Sequence, residues 1–168
     1  MIGLRADVHP VARLKEFGKM PKFSQAYLDS LFSSYDYCKL VELSGYLQDG
    51  LSRSEPTYGY PQPVFVFLES LVWFAQAMRS GAVTYYEATP KARQDAMLDA
   101  LEREAPAGFA THYSLGMQGW QDERKIEVVD LWMESHDEEN NRWLWRLVNE
   151  HRDTIERLCG QRGRGTTI

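Results

Sequence analysis

Apolar residues recur along most of the chain at intervals of three and four, the spacing that lines up one face of an α-helix. Leu28, Leu31, Phe32 and Tyr35 form the first stripe, and Ser24 in front of it is placed to act as an N-cap. The stripe runs on through Leu40, Leu43 and Leu47, with Ser33–Ser34 as a candidate break and Gly50 as the stop. From Val64 to Arg79 the pattern changes, and apolar side chains fall on nearly every side. A surface helix carries one apolar stripe, so this segment predicts a central helix wrapped by the others. Glu69 is the anomaly within it. One reading puts it on a polar edge with Gln76 and Arg79; the other makes it a buried carboxylate of raised pKa.

Gly81 closes the central helix, and Val83, Tyr85 and Tyr86 lie in a short segment that fits helix or strand. Pro90 suits the first turn of the next helix, which carries Ala92, Ala96, Met97, Leu98 and Leu101 as far as Ala105–Gly108. Gly116 and Gly119 among aromatics leave 109–121 without an assignment. Ile126, Val129, Trp132 and Met133 then form one helical face. Ser135 with Glu138 fits a capping box, which starts a further helix through Trp143, Leu144, Leu147, Val148, His151, Ile155 and Leu158 to Gly160. Arg146–Glu150, Arg152–Glu156 and Asp153–Arg157 are spaced as i,i+4 ion pairs on it.

No alternating run bounded by hairpin turns occurs, so the fold class is all-α: a compact single-domain helical bundle around a central apolar helix at about 64–79. Residues 1–22 read as a basic N-terminal arm, 23–160 as the helical domain and 161–168 as a flexible Gly/Arg tail.

A chain of 168 residues is the size of one domain and buries enough surface to need neither disulfide nor metal. Its two cysteines, Cys38 and Cys159, have no CxxC partner and read as small buried side chains in a reducing compartment. No apolar segment follows Met1–Arg5, and Val64–Met78 is too short and too interrupted to cross a bilayer, so the cytoplasm is the expected location.

The loop 50–63 is long for a compact domain, and such loops often carry function. Its Tyr58 and Tyr60 either lie flat on the core as a lid or act as aromatic anchors for a partner, a homodimer mate included.

Charge is spread unevenly. Asp122 to Glu156 holds eleven acids and five bases, a net of −6, whereas the first 22 residues carry +3 and the stretch from Arg157 onward another +3. Glu123, Glu127, Asp130, Glu134 and Asp137 recur every three to four residues, opposite the Ile126–Met133 side, with Glu138 beside them. Such a stripe attracts basic partners or is simply a solvated face. The first alternative gives a non-enzymatic module that occupies a basic surface of a partner protein, such as a nucleic-acid-binding protein or nuclease complex, in an inhibitory, immunity or anti-defence role. Direct nucleic-acid binding fits poorly, because the only basic segments are the two short ends.

Signatures of catalysis are sparse. GxSxG, the P-loop and GxGxxG are absent, and no cofactor is implied. His9, His112, His136 and His151 stand at no recognised metal-ligand spacing, and His136–Glu139 lacks the HExxH geometry. His151, on the apolar stripe, reads as a core histidine. An enzyme would have to assemble its site from distant residues, with Glu69, His112 and Tyr86 as the candidates.

Leu71–Tyr86 and the helix to Leu101 resemble the core of a bacterial all-helical family of domains of unknown function that includes an acidic DNA-mimic protein. The matching turn is Ser80-Gly81-Ala82-Val83-Thr84-Tyr85-Tyr86, and Trp132 to His151 resembles the family's closing pattern. The family's second Gly and the Phe of that turn are missing here, and Ser80 stands where Asn is usual. The resemblance implies an all-α fold and allows a DNA-mimic role.

Overall fold

The computed structural model describes residues 23–33, 35–48 and 51–161. The basic arm 1–22, Gly50 and the tail beyond Gln161 therefore lie outside the described residues. Among the described residues there are nine helices and no strand, so the protein is all-α. They are α1 (Gln25–Phe32), α2 (Tyr37–Gln48), α3 (Gln62–Ser80), α4 (Val83–Ala88), α5 (Lys91–Glu104), α6 (Ala107–Gly119), α7 (Glu123–Ser135), α8 (Asp137–Glu150) and α9 (Arg152–Gln161). None of these is long and apolar enough to cross a membrane.

Ser24 caps α1 as its sequence predicts, its hydroxyl accepting from the Tyr27 N–H at 3.2 Å. α1 ends at Phe32 with Ser33 as its C-cap, and Leu40, Leu43 and Leu47 form the inner face of a separate α2. α3 is the central element. Pro61 stands at its N-cap and Pro63 in its first turn, and Val64 through Leu71 is buried without a gap. It packs against α4, α5, α7 and α8. Burial on every side explains why its sequence lacks a polar face.

α4 spans six residues, too short to persist alone. Both its ends are held from other helices. Asp130 on α7 accepts the Ala82 N–H at 2.7 Å, and the buried Gln94 on α5 donates its Nε2 to the Tyr86 and Thr89 carbonyls at 2.9 and 2.7 Å. α6 fills the stretch that the sequence left unassigned. Its glycines are packing devices: a Cβ at Gly116 would stand 2.3 Å from Cε2 of Tyr86, and one at Gly119 would meet the Lys125 stem.

Four expectations need correction. Ser135 does not cap α8; it is the last residue of α7 and donates back to the Leu131 and Trp132 carbonyls at 2.7 and 3.2 Å. His151 is not a core residue but marks a break (φ −111°, ψ 22°) that divides the expected last helix into α8 and α9. Of the three predicted i,i+4 pairs only Arg152–Glu156 forms among the described residues, at 2.6 Å. Cys38 is exposed while Cys159 is buried, and they form no disulfide.

Candidate functional site

The acidic residues are set by α7. Asp122 caps this helix by accepting the Arg124 N–H, and Ile126, Val129, Trp132 and Met133 turn inward as expected. The opposite side therefore carries Glu123, Glu127 and Glu134 to the surface, and none of the three forms an ion pair among the described residues. Together with Asp130 they line a groove that also includes Gly81 of the α3–α4 corner and one cation, Arg124. Leu131 is 58% exposed within this groove, and Val128 is 47% exposed three residues earlier on the same helix.

Three of the predicted acidic positions differ in role. Asp130 is half-buried and spends one oxygen on the Ala82 N–H, so it serves the fold first. Burial raises its carboxyl pKa, and that hydrogen bond acts against the rise. The backbone turns at His136 (φ −118°, ψ 18°), so the stripe on α7 ends at Glu134. Asp137 and Glu138 stand instead in the first turn of α8, where the helix dipole favours acids, and Glu138 pairs with Arg142 at 3.1 Å.

The tyrosine loop behaves as a lid. Tyr58 is buried, and its hydroxyl donates to Oε2 of Glu69 at 2.5 Å; Tyr60 is half-buried and donates to the Leu47 carbonyl at 2.5 Å. Tyr58 is thus not an exposed anchor: the hydroxyl has been drawn inward by a buried carboxylate. Its φ of +58° and that of Gly59 at +73° make the tight turn that this requires. From α5, Arg93 fastens the loop outside, donating to the Arg53 and Pro56 carbonyls at 2.9 and 3.2 Å with its guanidinium 4.1 Å above the Tyr58 ring.

Glu69 does not share an edge with Gln76 and Arg79. It is 1% exposed and accepts from Tyr85 at 2.6 Å as well as from Tyr58. The single Tyr85 proton is committed to that bond, so Tyr113, 2.8 Å from the Tyr85 oxygen, donates to it. Burial raises the Glu69 pKa, and the two tyrosine bonds counter part of the rise. Burial also raises the pKa values of Tyr58, Tyr85 and Tyr113, all hydrogen-bonded within this cluster.

The trio Glu69, His112 and Tyr86 is not brought together. His112 hydrogen-bonds the Gly108 carbonyl and stacks on Trp132 at 4.5 Å, and Tyr86 donates to the Tyr113 carbonyl. Glu69 is absent from the linings of the four surface cavities at Trp132, Trp143, Leu68 and Asp130. Among the described residues no group of three metal-ligating side chains occurs.

Comparison with protein-family models, with curated proteins and with solved structures finds no match. What stands on this geometry is an all-α bundle with an acidic helix face that forms no ion pair among the described residues and a buried carboxylate–tyrosine cluster.

Proposed function

We propose that the protein is a non-enzymatic binding module that presses the outer face of α7 onto a basic, partly apolar surface of a partner protein. The observation that carries this reading is the exposed Leu131 set among Glu123, Glu127, Asp130 and Glu134 in one groove. A face built only for solvation has no need of two half-exposed aliphatic side chains beside unpaired carboxylates. An interface uses both: the apolar contact supplies affinity, and the charge supplies orientation and speed of association.

The face runs over about 16 Å of helix from Glu123 to Glu134, at 1.5 Å per residue. Its four carboxylates fall roughly every 5.5 Å, sparser than the ~3.4 Å charge spacing along a DNA strand. A basic protein surface is the partner class because the carboxylates and the exposed leucine together suit one. A DNA-mimic-like inhibitor, the narrower form of this reading, rests on the resemblance at Ser80–Tyr86 and not on the charge spacing. A reducing cytoplasm is the compartment it supposes.

Charge reversal at Glu123, Glu127 and Glu134 tests the reading, with Asp130 left in place because it holds α4. The triple variant is expected to keep its melting temperature and lose its partner. A partner retained with unchanged affinity rules the face out.

A further inference from the structure

A second site shares no residue with the acidic groove. A cleft of about 1040 Å³ opens between the start of α6, the end of α7 and α8. Its apolar wall is Phe109 and Trp132, whose rings meet edge to face at 5.2 Å. The Trp132 ring is fixed in place by His112 stacked at 4.5 Å and His136 at 5.5 Å.

Three kinds of polar group meet this wall. The first is a buried acceptor lacking a donor. Asn140 lines the cleft, is 3% exposed, and its Oδ1 has no hydrogen-bond partner. Buried amide oxygens are almost always satisfied, so an unsatisfied one on a cleft wall is open to a donor from water or from a ligand. The second is a pair of cations. Arg142 and Arg146, one turn apart on α8, both line the cleft. Arg142 holds only the exposed Glu138, and Arg146 forms no ion pair among the described residues, leaving Glu150 four residues on unused. The third is the N-terminus of α6, a helix of thirteen residues whose N-cap, Pro106, has no side-chain acceptor to occupy the first free N–H groups. Pro106 and Gly108 both face the cleft, and Gly108 has no side chain to screen its backbone.

We propose that this cleft binds a nucleotide-like ligand: a planar heterocycle bearing an N–H donor, joined to a phosphate. The heterocycle meets only the edges of Phe109 and Trp132, whose faces are covered by Trp143, His112 and Trp73, and donates to Asn140 Oδ1. The phosphate sits among Arg142, Arg146 and the free N–H groups of α6. Two guanidinium forks and a helix N-terminus offer more donors than the two oxygens of a carboxylate accept, which favours a phosphate. Glu139, the only acid on the lining, is an acceptor for sugar hydroxyls.

Calorimetric titration of the full chain with the 5′-monophosphates of adenosine, guanosine and cytidine tests the proposal, with the free nucleosides and inorganic phosphate run beside them. At least one nucleotide is expected to bind saturably, ten times or more tighter than either of its halves. Arg146→Gln, at an exposed position, should weaken it tenfold or more. Asn140→Leu should do the same while raising the melting temperature, since it removes the unsatisfied oxygen. Absence of saturable binding at millimolar nucleotide overturns the proposal. So does an affinity that Arg146→Gln leaves unchanged. Phosphate binding as tightly as the best nucleotide reduces the site to an anion cradle and equally overturns it.

Discussion

Glu69 is the residue whose chemistry is most constrained. Its ionised form is sealed in the core with only two tyrosine hydroxyls to replace water. Because its folded-state pKa lies above the unfolded value, the folded protein holds the proton more tightly than the unfolded chain does. The associated stability is present in full at pH values below about 4.3, the unfolded Glu value, and is lost as pH rises through the folded pKa. Glu69→Gln is neutral at all pH and keeps an acceptor for one tyrosine. Its melting temperature should exceed the wild type's at pH 8, and the difference should shrink steadily as pH falls toward 4. A difference that does not change with pH contradicts the burial of this charge. Gly116 supplies a second residue-scale test. A methyl group there meets the Tyr86 ring, itself locked between Tyr85 and Tyr113 at 5.2 and 5.6 Å. Gly116→Ala should cost about 1–3 kcal/mol by overpacking, although alanine is the better helix former. Denaturant unfolding measures this directly, and a stabilised variant refutes the packing account.

The elements show which sequence signals are reliable and which are not. α3 was legible because no solvent-facing stripe interrupts Val64–Leu71, and α7 because Ile126, Val129, Trp132 and Met133 keep the helical period. α6 was hidden: Gly108, Gly116 and Gly119 read as helix breakers, whereas a Cβ at Gly116 or Gly119 would strike Tyr86 or Lys125. α4 was ambiguous because the groups that hold its ends lie outside it, Gln94 on the next helix and Asp130 at 48 residues from Ala82. The acidic stripe on α7 was legible from spacing alone, but the break at His136 that removes Asp137 and Glu138 from it carries no Gly or Pro. Nor does Glu69 announce its tyrosine partners, which come from a loop and from α4. The tyrosine loop makes its own prediction. Arg93→Ala removes the guanidinium that ties 53–56 to α5. Amide exchange within 52–60 should accelerate about tenfold, equivalent to ~1.4 kcal/mol and close to the lower end of the range for one hydrogen bond to a charged donor. Exchange in α3 should be unaffected. Uniform acceleration across the chain would show that Arg93 supports the whole fold rather than the lid.

At the scale of the whole molecule, the buried cluster and the surface face divide the work. The Glu69–Tyr58–Tyr85–Tyr113 cluster joins loop, α3, α4 and α6 inside the bundle. Outside, the chain's net charge of −5 is not spread evenly, and the carboxylates of α7 stand beside exposed Leu131 and Arg124 with no ion pair among the described residues. A partner held this way should bind more weakly as salt rises, because the exposed charges are screened over a Debye length of ~8–10 Å at 0.1–0.15 M salt. A partner held mainly by apolar contact should be nearly indifferent to salt. The most direct test is capture from lysate of the source cells by wild type and by the Glu123→Lys, Glu127→Lys, Glu134→Lys variant, at low and high salt, read by quantitative mass spectrometry. The α7 reading predicts a basic protein enriched by wild type at low salt and lost both at high salt and with the folded variant. Equal capture by wild type and variant at both salt concentrations contradicts it.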